Sequence, residues 1–359
     1  MKVLRNIALI FSFLISITLI FMGAYIGGNL SAVDEKSEDK IIVEIAPNTS
    51  TKQIGKLLEE KGLIHSKDFF YFYCRTKEIN DLKASTYELS KSMDLEEIID
   101  ILREGNNYNP DRVSITFREG INVKKVASVI ENSTNNTKDD VFNKLKDSTY
   151  IDKLISEYWF LTEEIKNSNI YYPLEGYLYP DTYFLENKDV TVEQIFKIML
   201  DEMNKRLTPY KEKIEKSNYS VHNYLTLASL TELEAVTDSD RKNVCGVFYN
   251  RINKKMSLGS DVTTYYAFGI DMNERDLKSS EINTYNPYYT RGPKMEGKIP
   301  VGPVANPSIS SIDASINYNS NDYLYFVADK NRKVYFTKTL KEHNAKIKEL
   351  KDKGEWIEW

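Results

Sequence analysis

Histidine and cysteine are scarce in this sequence, with three of the first and two of the second among 359 residues. His65, His222 and His343 stand far apart and none belongs to an HExxH pattern, so a zinc hydrolase is not expected. Cys74 and Cys245 each lie inside an apolar run without metal-type spacing, and read as small buried hydrophobes. A G-x-S-x-G elbow and a Walker loop are both missing. So is any basic excess: the net charge is −5 and no long Lys/Arg stripe occurs, which argues against nucleic acid as a partner. No metal or cofactor is expected. Hydrophobic residues at 41% and charged residues at 28% are ordinary for globular protein, and the length suits two or three modest domains. Acid–base chemistry by carboxylates is what these absences leave.

Tyrosine, by contrast, occurs 25 times. Its flat apolar ring with a polar tip suits sugar-binding clefts, although many such residues simply fill half-buried strand positions. One long uncharged run, from Ile7 to about Gly28, follows Lys2 and Arg5. About 20 apolar residues cross a bilayer core as a helix, and positive charge before the run keeps that end in the cytoplasm. A signal peptide has a shorter apolar stretch and ends at small residues, whereas Ser31-Ala32-Val33 is a poor cleavage site. The expectation is a cytoplasmic N-terminus over 1–6, a single transmembrane helix over 7–29, a charged linker over 30–40, and everything beyond outside the cytoplasm.

Beyond the linker the pattern is α+β. Ile41 to Ile45 reads as a strand, and Ser50 with Gln53 has capping-box spacing ahead of the stripe Ile54, Leu57, Leu58. A helix from Phe69 to Arg75, a strand from Ala84 to Leu89 and a helix opened by Asp94 with Glu97 and closed by Gly105 complete a small α+β domain over 41–107. The larger mixed α+β domain, 108–359, opens with a strand at Val113 to Arg118 and a helix capped by Asn122. It continues with a polar loop over 132–140, helices over 141–161, an aromatic-rich irregular stretch over 170–183, and an amphipathic helix over 190–207. Near its end, Tyr323 to Ala328 and Val334 to Thr337 flank a polar turn, a hairpin signal, before a last helix from about Thr339 to Lys351.

The segment Tyr224 to Val236 is the odd one, a helix apolar on nearly every side that two glutamates interrupt. A buried carboxylate resists ionisation, and a glutamic acid still protonated near neutral pH is what general acid catalysis needs. Glu232 and Glu234 are about 200° apart round a helix, so they face different surroundings. Glu234 goes with Leu227, Leu230 and Thr231, and Glu232 with Ala228 and Ser229. One catalytic and one structural group fit this spacing, without saying which is which; equally, both fit ion pairs with Arg241 or Arg251.

The motifs around this helix form an ordered series. Glu232-x-Glu234 is followed by Arg241, Val247-Phe248-Tyr249-Asn250-Arg251, Met256-x-Leu258, then Ser260, Asp261 and Thr263. Upstream stands Leu174-Glu175-Gly176-Tyr177-Leu178-Tyr179-Pro180-Asp181-Thr182-Tyr183. Downstream come Tyr285-Asn286-x-Tyr288, Ile299 to Pro307, Tyr323 to Val327, and Glu342-His343-Asn344. Together they resemble the YceG-like (MltG) family of endolytic murein transglycosylases over essentially the whole chain.

That resemblance implies a LysM-like domain over 41–107 and a catalytic domain over 108–359. It implies cleavage of the MurNAc–GlcNAc bond of peptidoglycan with a 1,6-anhydro end, and it assigns the acid–base role to Glu234. It puts Asn250, Arg251, Ser260, Asp261, Tyr285, Asn286, Tyr179 and Asp181 at the glycan, with cell-wall synthases of the elongation or division complex as partners. The chain departs from the family in its loops: Asp261-Val262-Thr263 stands for D-P-T, Lys298 to Val304 for G-L-P-P-G-P-I, Ser308 for a glycine, and Arg291 to Glu296 is a short insertion. Two rivals follow: a non-catalytic, membrane-anchored glycan-binding scaffold, and a hydrolase with Glu232 or Asp261 as base.

Overall fold

The computed structural model describes residues 2–105, 108–270, 275 and 278–356, with side chains from residue 16 onward. The chain divides into two compact units, Met1–Asp111 and Arg112–Trp359, and both mix helices with short strands.

The first unit contains α1 (Lys2–Leu30), β1 (Ile41–Ile45), α2 (Thr51–Glu60), α3 (Lys67–Thr76), β2 (Ser85–Leu89) and α4 (Leu95–Glu104). β1 and β2 pair antiparallel with Val43 opposite Tyr87. Alternation puts Val43, Ile45, Tyr87 and Leu89 on one face, where they meet Ile54, Leu58, Phe70, Ile98 and Leu102 in a closed core. The expected capping boxes at Ser50 with Gln53 and Asp94 with Glu97 both form. Of the expected span over 7–29, the side chains of 7–15 lie outside the described residues. Among the described residues no helix is long and apolar enough to cross a membrane.

The second unit begins with β3 (Val113–Thr116), α5 (Val123–Ser133), α6 (Lys138–Lys146), α7 (Ser148–Glu157) and a 3-10 turn at Glu163–Lys166. The polar stretch 132–140 is therefore mostly helix ends, separated by a four-residue link that Thr137 closes as the cap of α6. β4 (Thr182–Leu185) pairs antiparallel with β3. There follow α8 (Val192–Leu207), α9 (Lys211–Glu215), α10 (Val221–Glu234), α11 (Asp238–Asn253), α12 (Val262–Phe268), α13 (Ser279–Ile282) and α14 (Ile309–Ile316). The hairpin β5 (Tyr325–Ala328) and β6 (Val334–Thr337) precedes α15 (Leu340–Asp352).

α10 is the axis of this unit. Every side chain from Tyr224 to Thr231 is buried, as its all-round apolar sequence requires, and α11, α12 and α14 pack around it. Side chains lock the loops onto this axis. Ser229 Oγ accepts from Val304 N at 3.1 Å, and His222 bridges the Tyr177 hydroxyl (2.7 Å) and Val301 O (2.8 Å). Buried Asn306 accepts from Leu178 N at 3.1 Å and donates to Ile121 O at 2.9 Å, joining three distant segments. Gly176, at φ +83°, lies where a Cβ would come within 2.3 Å of Pro303, so only glycine fits this crossing.

Candidate active site

Glu234 is the last residue of α10; Ala235 leaves the helix in an extended conformation, and Thr237 caps α11. The two glutamates of this end have diverged. Glu232, with 6% of its side chain exposed, takes Arg241 Nη2 at 3.2 Å and both the backbone N (2.9 Å) and Oγ (2.5 Å) of Ser308. Ser308 is the N-cap of α14, so the carboxylate also faces the positive end of that helix dipole. Glu232 thus braces α10, α11 and α14 together.

Glu234 has no such partner. Its Oε1 accepts a hydrogen bond from Ser260 Oγ at 2.6 Å, and among the described residues it makes no ion pair. It is half-buried beside the exposed side chains of Leu233 and Val236. Burial raises its pKa from the ordinary 4.5 to about 6; the Ser260 hydroxyl pulls it down, Asp261 pushes it up, and the more distant charges of Arg291 and Arg251 pull it down. Its place at the negative end of α10 likewise disfavours the ionised form. At pH 7 about a tenth of such a group still carries its proton.

Ser260 is itself held rigidly. Its N donates to Thr290 Oγ1 at 2.9 Å, its carbonyl accepts from Thr263 Oγ1 at 2.7 Å, and Thr290 N donates back to Thr263 Oγ1 at 3.1 Å. Arg251 supports the approach to this knot, donating from Nη1 to Leu258 O at 2.7 Å and from Nε to Leu324 O at 2.6 Å. Gly259, at φ +63°, leaves room for that guanidinium, since a Cβ there would sit 2.7 Å from Arg251 Nη1. Asp261 lies on the exposed rim in a bidentate pair with Arg291, at 2.5 and 3.0 Å.

The other expected residues are placed differently. Asn250 Nδ2 donates to Asn321 O, Asn321 Oδ1 and Tyr323 O at 2.9–3.0 Å, fixing the turn before β5. Arg251 binds carbonyls rather than a carboxylate. Asn286 donates to the Tyr171 hydroxyl (2.9 Å) and Ala267 O (3.1 Å) and accepts from Tyr288 N (2.9 Å), closing a turn. Tyr285 is exposed. Tyr179 is buried with the Arg206 guanidinium 5.1 Å from its ring centre, and exposed Asp181 lies 3.8 Å from the same Arg206. Of the expected group, Ser260 touches Glu234, and Asp261 and Arg251 act on it by charge.

Three further residues have a part here that the sequence did not assign. Thr290 and Arg291 reach the site only through the fold. Glu175 is a second unpaired acid, 1% exposed: both its oxygens accept from Val123 N (3.0 and 3.1 Å), and Tyr266 Oη donates to it at 3.0 Å. Burial pushes its pKa to about 8, against the pull of the Val123 N–H, the Tyr266 hydroxyl and Lys124. Sealed as it is, Glu175 ties α5 to α12 and cannot meet a substrate. No group of three or more His, Cys, Asp or Glu able to hold a metal ion occurs among the described residues.

Comparison with known proteins gives a consistent result. The endolytic murein transglycosylase of Bacillus subtilis (strain 168) is 38% identical over 342 residues, covering 94% of this chain and 93% of that protein. The endolytic murein transglycosylase of Streptococcus pneumoniae serotype 2 (strain D39) is 34% identical over 361 residues, 95% of this chain but only 65% of the longer relative. The crystal structure of a yceG-like protein from Listeria monocytogenes superposes with a TM-score of 0.60 at 36% identity, over 86% of this chain and 99% of that one. The family described as YceG-like matches residues 43–349, and the chain belongs to it.

Proposed function

We propose that this chain is an endolytic murein transglycosylase that cleaves the MurNAc–GlcNAc bond of peptidoglycan and leaves a 1,6-anhydroMurNAc end, with Glu234 as acid and then base. The observation that carries the reading is the contrast within one helix end: unlike Glu232, Glu234 makes no ion pair among the described residues and is partly desolvated and open to one side. The relatives' names supply the substrate class.

Ser260 occupies Oε1, which leaves Oε2 to hold the proton. In the proposed step Oε2 donates to the glycosidic oxygen as the bond from C1 breaks. The C6 hydroxyl oxygen of the same MurNAc then closes on C1, and its proton returns to the Glu234 carboxylate. Protons balance, and no water is consumed. A glycoside hydrolase would need a second carboxylate as base or nucleophile. The two neighbouring candidates are engaged, Glu232 with Arg241 and Asp261 with Arg291, which favours a single-carboxylate route.

The reading extends to place. α1, 29 residues long, exposes Leu19, Ile20 and Phe21; at 1.5 Å per residue such a helix is long enough for a bilayer core of about 30 Å. We take residues 7–29 as a single-pass anchor with residues 1–6 in the cytoplasm and everything after the anchor outside it, 41–107 as a LysM-like unit, 108–359 as the catalytic domain, and cell-wall synthases as partners. Retention in the membrane after carbonate washing tests the anchor; a soluble protein contradicts it. Digestion of purified sacculi followed by mass spectrometry tests the chemistry. Anhydro ends made by the wild type and not by Glu234→Gln are expected, whereas a scaffold makes none and a hydrolase makes reducing ends.

A further inference from the structure

Near the site stands a polar side chain with no hydrogen-bond partner among the described residues. His343 lies in the first turns of α15, its ring stacked on Tyr325 of β5 with centroids 5.3 Å apart and planes at 28°. The guanidinium of Arg251 lies 5.2 Å from the same tyrosine ring, and that arginine holds the carbonyl of Leu258, two residues before Ser260. Arg251 and Arg291 act by charge on both His343 and Glu234, which places the imidazole and the acid in one neighbourhood.

Nδ1 of His343 is buried and makes no hydrogen bond. Nε2 has no partner among the described residues either, but it is not sealed from solvent, and the residue is only half-buried. Burial, then the two guanidinium charges, lower the pKa from its ordinary 6.5, so the ring is neutral at pH 7. One nitrogen of a neutral imidazole carries the hydrogen. A buried N–H without an acceptor is the costlier orphan, and a bare Nδ1 lone pair suits a position near two cations. The hydrogen therefore belongs on Nε2, which becomes an outward-facing donor of fixed direction.

We propose that His343 Nε2–H is a substrate-recognition donor for an N-acetyl carbonyl of the glycan, with Tyr325 holding the ring in place. A neutral donor matches a neutral acceptor, and the amide carbonyl is the strongest neutral acceptor on a MurNAc–GlcNAc strand. This inference rests on the transglycosylase reading above.

The test uses the full chain and glycan strands, either fully N-acetylated or chemically de-N-acetylated. One neutral hydrogen bond is worth about tenfold in affinity. His343→Ala and His343→Phe, the latter keeping the ring stack, are each expected to raise KM about tenfold with kcat within about twofold, and His343→Gln, which restores an N–H donor, to recover most of the loss. De-N-acetylated strands should cost the wild type a similar factor and cost His343→Ala little more. Unchanged KM in His343→Phe, or an equal penalty for de-N-acetylation in wild type and His343→Ala, overturns the proposal. Affinity measured on Glu234→Gln with and without His343→Ala reads the same contact without turnover. If the wild type makes no anhydro ends, the function fails while this binding difference still decides the role of His343.

Discussion

The two flanks of the end of α10 are built to opposite ends. On one, Glu232 is nearly sealed, ionically paired to Arg241 and set at the head of α14. On the other, two residues along, Glu234 meets one hydroxyl at 2.6 Å and otherwise faces an open rim. Burial, a like charge and a helix C-terminus press Glu234 toward the neutral acid, while Glu232 is taken up in holding three helices. Identical side chains thus become a brace and an acid through their neighbours alone. Glu175 adds a third condition, an acid drier than Glu234 and cut off from any substrate.

Substitutions at the three positions should separate these conditions. Glu234→Gln is expected to lose about 10²–10⁴-fold or more in anhydro-muropeptide formation. It should leave stability at pH 8 unchanged or raised by about 1 kcal/mol, because an ionised, partly desolvated carboxylate is removed; muropeptide assays beside thermal unfolding check both halves. Glu232→Ala should do the reverse, costing about 3 kcal/mol of stability by leaving buried Arg241 with the exposed Asp238 as its remaining ion-pair partner among the described residues, read by denaturant unfolding. Equal effects of the two changes on stability would erase the contrast.

The next effect is in pH. A folded-state pKa of about 8 at Glu175 and about 6 at Glu234, both above the ordinary 4.5, means that the neutral acids stabilise fully below about pH 4.5. That stability is lost as pH rises through each folded value. Between pH 6 and 8 Glu175 alone of the two still contributes, at about 1.4 kcal/mol per pH unit. Glu175→Gln should flatten that part of the stability curve. Smallest is Ser260→Ala: without the hydrogen bond that favours the carboxylate, the alkaline limb of the rate profile should move up by up to about one pH unit, with kcat falling about tenfold.

The sequence carried the local signals well. Capping boxes at Ser50 and Asp94, the Asn122 cap and the hairpin around 329–333 are short-range and formed as expected. The all-apolar run of α10 announced its burial, and the spacing of Glu232 and Glu234 announced two surroundings. What surrounds them was not legible. Thr290 clamps Ser260 across 30 residues, and a lone hydroxyl has no periodicity to betray it. Asn250 and Arg251 stand in a motif that resembles the family's, yet a motif does not say which way α11 points them; they turn to the carbonyls of 321–324. Position 234 as the terminal residue of α10, which opens it to one side, depends on where the helix stops, and boundaries are what local patterns define least well.

The most direct test is a carboxyl-carbon NMR titration of Glu234, assigned by its disappearance in Glu234→Gln. The account predicts a midpoint near pH 6 that coincides with the alkaline limb of the rate profile. A midpoint at or below the ordinary 4.5, with activity unchanged through pH 6, would contradict it.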